Sequence, residues 1–121
     1  MEYALAKEMI RSLKETQKLR KNSNRKSHEV LIDEQDLMGI FRNQEGRCYY
    51  SGVKFNMEYS NHFRKYPYHP LTISLERLDA DVGYVAENVV LTLRLFNLGR
   101  NACDLDTFKS AVSELREGLN A

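Results

Sequence analysis

Apolar residues recur along this chain with two different periods, and the changes of period divide it into elements. Tyr3, Ala6, Ile10 and Leu13 fall at helical spacing and predict a helix from residue 2 to about residue 20. The polar segment KNSNRKS that follows reads as a loop, because its Asn and Ser side chains compete with helical backbone bonds. Asp33 is placed to cap a second helix, with Asp36 in its first turn. Leu37, Ile40 and Phe41 form the apolar face of that helix, and Gly46 is placed to end it. CYYSGVKF then reads as a short strand with a Ser-Gly turn inside it. Residues 56–70 are aromatic, basic and irregular, with Pro67 and Pro70 arguing against regular structure, so a long surface loop is expected there.

The period then shortens. Leu71, Ile73 and Leu75 alternate with Thr72, Ser74 and Glu76, the pattern of a half-buried strand. Asp81 to Gly83 supplies a turn, and Val89-Val90-Leu91 is the returning strand. A helix is expected from about Thr92, with Leu95 and Leu98 towards the core. Asp104 caps a last helix whose Phe108, Ala111, Val112, Leu115 and Leu119 form an apolar stripe. The expected fold is α+β in a single domain over residues 1–121. It comprises a helix and basic arm (1–30), a hairpin-and-helix region (45–101) and a C-terminal helix (104–119).

Composition narrows the class. With 42% apolar and 29% charged residues in 121, the chain is of ordinary globular make-up and long enough for one modest core. No apolar run approaches the roughly 18 residues that span a bilayer, so no membrane partner is expected. MEYALAKEMIRSLKE lacks the apolar core of a secretion signal. Cys48 and Cys103 make neither a disulfide framework nor a zinc site, which points to a reducing, intracellular (cytoplasmic) location. The net charge of +1 conceals a local excess: Lys18, Arg20, Lys21, Arg25 and Lys26 occur together with no acid among them. Such a stretch suits an anionic partner, most commonly nucleic acid, or else a solvated helix end.

The chemistry concentrates in SLERLDADVGYVAENVVLTLRLFN (74–97). Glu76 ends the alternating run, Asn88 follows a Gly-Tyr turn, and Asn97 comes nine residues later on the expected helix. The motifs SLERLD, Gly83-Tyr84, Glu87-Asn88 and Asn97 resemble the HNH (His-Me finger, or ββα-metal) endonucleases. They are most similar to the phage and mobile-element branch whose signature runs SLDRID, GY, EN and a helix ending in Asn. EGRCYYSGVKF and the final helix extend the likeness over residues 34–115.

The resemblance implies helices flanking a central ββα-metal finger that hydrolyses DNA phosphodiester bonds; the host cell would be the location if the source is viral. It makes Glu76, where the family usually has Asp, and Asn97 the ligands of one Mg²⁺ or Mn²⁺. Asn88 becomes the residue that braces the loop, and Arg100, one turn beyond Asn97, a phosphate contact. Lys18, Arg20, Lys21, Arg25, Lys26, Arg64 and Lys65 would bind DNA phosphates with little regard to sequence. A homodimer is compatible with the family, and the sequence leaves the oligomeric state open.

One departure matters. Arg77 stands where the family's general-base His should be, and a guanidinium cannot take a proton near neutral pH. Asp79 or a histidine of the aromatic loop (His69 or His62) could replace it, or the metal alone could activate the water. Asp79 can equally be a turn residue, His28 and His62 plain surface histidines, and Tyr49, Tyr50 and Tyr84 core aromatics. The paired cysteines that hold zinc in many relatives are missing, so no zinc is expected. The alternative reading is a nucleic-acid-binding module of the same fold that has lost cleavage.

Overall fold

The computed structural model describes residues 1–62, 65–66, 69–100 and 103–121. It is a mixed α+β fold in which five helices accompany a two-stranded antiparallel sheet. The contacts divide the chain into two compact units. One contains Met1–Glu45 and Arg77–Val90, the other Gly46–Glu76 and Leu91–Ala121.

In the first unit, helix α1 (Tyr3–Asn22) is built from strong helix formers and carries Arg20 and Lys21 in its last turn, where cations favour the helix dipole. Arg11 bridges Glu8 and Glu15 on its surface, at 2.6 and 3.2 Å. Leu5, Ala6 and Ile10 are its buried apolar residues, whereas Tyr3, expected on that face, is exposed. Helix α2 (Glu34–Asn43) begins with the expected cap. Asp33 accepts from the Asp36 N–H while Asp36 accepts from the Asp33 N–H, both at 2.9 Å. Leu37 is fully buried on its inner face. The helix stops at Gln44, two residues before Gly46, and Glu45 and Gly46 both take left-handed backbone.

In the second unit, CYYSGVKF is a reverse turn closed by a single Arg47–Lys54 bridge, not a strand. The Gly52 N–H donates to Cys48 O and the Cys48 N–H to Val53 O, both at 2.9 Å, with Gly52 at φ +71°. That left-handed residue turns the chain back too soon for a ladder to extend. The expected loop over 56–70 contains a short helix, α3 (Met57–Asn61), because Asn56 caps it by accepting from the Glu58 N–H.

The sheet pairs β1 (Ile73–Arg77) with β2 (Val89–Leu93). All five residues of β2 are buried. In β1 the buried residues are Ile73 and Glu76; Leu75 is half-buried and Leu71 exposed. Helix α4 (Arg94–Arg100) follows β2 directly, and α5 (Leu105–Leu119) is capped by Asp104, which accepts from the Thr107 N–H at 2.9 Å. The expected inward positions of these two helices need correcting. Leu95, Leu98, Leu115 and Leu119 are exposed, and Val112 is the buried residue of α5. A helix as short as α4, with Asn97 and Arg100 turned to polar partners, leaves its leucines outside. Among the described residues, no helix is long and apolar enough to cross a membrane.

Candidate functional site

The second unit holds a buried polar cluster built from three elements. Tyr50, on the turn after α2, donates its phenolic hydrogen to Glu76 Oε2. Arg100, at the end of α4, lies 3.8 Å from Glu76 Oε1 and donates to the Tyr50 oxygen at 3.3 Å. Arg100 Nε also donates to Cys103 O at 3.3 Å, which fixes the guanidinium plane. Tyr50 is packed edge-on against Tyr49, Phe96 and Phe108, with ring centroids 4.9–6.1 Å away. A carboxyl group can be buried here because an aromatic hydroxyl and a guanidinium meet it.

Burial pushes the Glu76 carboxyl above the usual carboxylate range; the Tyr50 hydrogen bond and the Arg100 charge oppose this without cancelling it. Burial also raises the Tyr50 phenol above its ordinary value, and its bond to the Glu76 carboxylate adds to the effect.

Asn97 stands one helical turn before Arg100. Its Nδ2 donates to Ser74 Oγ at 2.7 Å and to Leu75 O at 3.3 Å, tying α4 to β1 immediately before Glu76. This fixes the amide orientation, and Asn97 Oδ1 makes no hydrogen bond with a described residue. Glu76 and Asn97 Oδ1 are hard oxygen donors of the type that Mg²⁺ and Mn²⁺ accept alongside water and phosphate, so the donor chemistry fits such an ion. A cation reaching Glu76 Oε1 would have Arg100 as its neighbour and competitor. Among the described residues, no three or more His, Cys, Asp or Glu side chains gather into a metal-holding group.

The first unit places the other motif residues. Asn88 is buried at the end of a 3-10 turn (Ala86–Asn88) and closes the loop before it. Its Oδ1 accepts from the Asp79 N–H at 2.9 Å. Its Nδ2 is shared among the carbonyls of Asp79, Val82 and Gly83 at 3.0–3.1 Å. These bonds tie residues 79–83 to Asn88. Asp79 is itself a turn residue: its Oδ1 accepts from the Asp81 N–H at 2.9 Å.

Arg77 is committed to the same loop. Its Nη1 donates to Ala80 O at 2.6 Å and Val82 O at 3.3 Å, and its guanidinium lies 5.0 Å from the Tyr84 ring centre. His69, in the second unit, stacks on Tyr59 at 3.7 Å and accepts from the Leu71 N–H through Nδ1. His62 is exposed. His28 is half-buried, with its ring edge-on to Tyr84 at 6.5 Å, and is not the plain surface residue expected. Burial, with the charges of Arg77, Lys26 and Arg20, pushes it below the usual histidine value, against a smaller pull from Asp81.

Of the basic residues, Lys26 pairs with Asp81 at 3.5 Å and Lys65 lies over the Tyr66 ring. Lys18, Lys21 and Arg25 are exposed and Arg20 half-buried, while Arg64 lies outside the described residues. The residue that sequence reasoning passed over is Tyr50. Its spacing in CYYSG carries an ordinary core signal, and only the fold reveals its pairing with Glu76.

No family model matches this chain, and neither does any curated protein or solved structure.

Proposed function

We propose that the chain is a metal-dependent endonuclease that hydrolyses DNA phosphodiester bonds at a ββα site formed by β1, β2 and α4. The observation that carries this reading is that α4 brings Arg100 to Glu76 and Asn97 to the two residues before it on β1. Arg100 lies 3.8 Å from Glu76, and Asn97 is bonded to Ser74 and Leu75 beside it. Glu76 and Asn97 Oδ1 would hold the divalent cation, which when bound neutralises the phosphate and stabilises the departing 3′ oxygen. Tyr50 keeps Glu76 in a fixed rotamer, and Arg100 offers guanidinium N–H groups to a non-bridging phosphate oxygen. Water adds to phosphorus as the P–O3′ bond breaks, leaving a 3′ hydroxyl and a 5′ phosphate. The histidines of the same unit, His62 and His69, are the candidates for taking the water's proton. His69 Nε2 makes no hydrogen bond with a described residue. Lys18, Arg20, Lys21, Arg25 and Lys26 supply positive charge for the DNA backbone.

A second reading is favoured by Arg77. It stands where the family that the motif resembles has its general-base His, and it is tied to Ala80 O, Val82 O and the Tyr84 ring, as a structural residue would be. On that reading the chain binds nucleic acid without cutting it.

Supercoiled plasmid incubated with Mg²⁺ or Mn²⁺ separates the two. Nicking that EDTA stops and that Glu76→Ala and Asn97→Ala abolish supports the enzyme. A salt-sensitive gel shift with no nicking supports the binder, and neither behaviour would remove both.

A further inference from the structure

The first unit contains a cleft of about 590 Å³ lined by Lys14, Gln17, Lys18, Lys21 and His28, with Ser27, Glu29 and Val30 completing the wall. We propose that this cleft binds one strand of single-stranded nucleic acid, whose successive phosphates lie along Lys14, Lys18 and Lys21. The proposal rests on nucleic acid being the partner, as in the reading above, but not on hydrolysis.

Three observations carry it. Lys14, Lys18 and Lys21 follow one another at helical spacing on one face of α1. At 1.5 Å of rise per residue they extend over about 10 Å, the reach of roughly two to three successive phosphates of one strand.

Their charge is also available. Among the described residues, no carboxylate pairs with any of these lysines, whereas Arg11 on the same helix is neutralised by Glu8 and Glu15, and Lys26 by Asp81. Glu29 is the single acid of the lining, so the cleft stays positive.

The cleft is also built in advance. Gln17 is buried; its Oε1 accepts from the His28 N–H at 2.9 Å and its Nε2 donates to the Tyr84 hydroxyl at 3.4 Å. Val30 bridges to Tyr84, and the Leu31 N–H donates to Tyr84 O at 2.9 Å. The wall opposite α1 is thereby fixed before any ligand arrives, which lowers the ordering cost of binding. A cavity of this volume suits one chain of nucleotides rather than a duplex.

The test is fluorescence anisotropy of a labelled short oligothymidylate with the full chain, in EDTA so that cleavage plays no part. Salt is varied between about 50 and 200 mM. Replacing Lys14, Lys18 and Lys21 together by Gln is expected to weaken binding at least ~10-fold. The slope of log K against log salt should fall by about 2, since each lost phosphate contact removes about 0.7. Lys7→Gln, on the same helix but outside the cleft, should change neither. In the unsubstituted protein, the oligonucleotide should shield Lys14, Lys18 and Lys21 from acetylation more than Lys7, a readout that does not depend on the variant folding. Unchanged affinity and slope in the triple variant would overturn the proposal. So would absent shielding, or binding of inorganic phosphate, a mononucleotide or a duplex as tight as that of the single strand. Plasmid nicking is measured separately, so loss of one property leaves the other standing.

Discussion

The Tyr50 hydroxyl donates to Glu76 Oε2 across 26 positions of sequence, joining a turn residue to the buried acid of β1. Tyr50→Phe keeps the ring packing against Phe96 and Phe108 but removes the donor. Among the described residues the buried carboxylate then retains Arg100 alone, and the loss should be about 1–3 kcal/mol at neutral pH. Urea unfolding of the two proteins in EDTA measures it. Equal midpoints would mean that the hydroxyl contributes nothing to holding Glu76.

The same acid sets a pH dependence. Because burial raises the Glu76 carboxyl above its ordinary value of 4.5, the native state holds that proton more tightly than the unfolded chain. The resulting stabilisation is present in full below 4.5 and is lost as pH rises through the raised value. Glu76→Gln keeps an acceptor for Tyr50 and removes the titration. The variant should therefore gain on the unsubstituted protein as pH rises from about 4 to about 7, measured by urea midpoints without divalent cations. A constant difference, or one of opposite slope, contradicts this origin of the shift.

Asn88 acts on the first unit in a different way, by satisfying three loop carbonyls and one N–H with one side chain. Asn88→Asp retains the acceptor but places a carboxylate against the carbonyls of Asp79, Val82 and Gly83. A cost of about 2–4 kcal/mol is expected, larger than for a loss of acceptor alone. Denaturant unfolding gives the size, and faster amide exchange at Leu78, which donates to Asn88 O, should accompany it. A substitution without effect would show the loop to be held by other bonds.

Much of this was legible in the sequence where one local rule decides the outcome. Asp33 and Asp104 cap helices because a short acid before a helix-forming run has an N–H to accept from, and both appear where expected. For Asn88 no such local rule applies: a bracing role was implied only by the resemblance of Gly83-Tyr84 and Glu87-Asn88 to a family motif. Burial was less legible, because it depends on partners distant in sequence. Leu95 and Leu98 sit at core-like spacing yet face outward, while Glu76, polar by composition, is buried because Tyr50 and Arg100 come to it. The strand expected in CYYSGVKF failed for a backbone reason, since Gly52 in left-handed conformation reverses the chain after a single bridge. His28 was unreadable in a similar way; its backbone N–H is held by Gln17 from eleven residues earlier, in the C-terminal half of α1.

The Glu76–Arg100 separation of 3.8 Å, with both side chains largely removed from solvent, allows a direct energetic test of the cluster. Arg100→Met removes the charge and the hydrogen bonds to the Tyr50 oxygen and Cys103 O. Alone it should destabilise the protein by about 3 kcal/mol at neutral pH, because the Glu76 carboxylate is left buried without a cation. Combined with Glu76→Gln it should cost less, since no charge remains to be met. The double-mutant cycle is therefore expected to give a coupling of about 1–3 kcal/mol near pH 7. The coupling should shrink towards zero below about pH 4, where Glu76 is protonated in both states. Additive effects at neutral pH would mean that Arg100 stabilises the protein only through its own carbonyl and Tyr50 contacts. An incoming phosphate could then meet the guanidinium without the loss of a stabilising ion pair to Glu76.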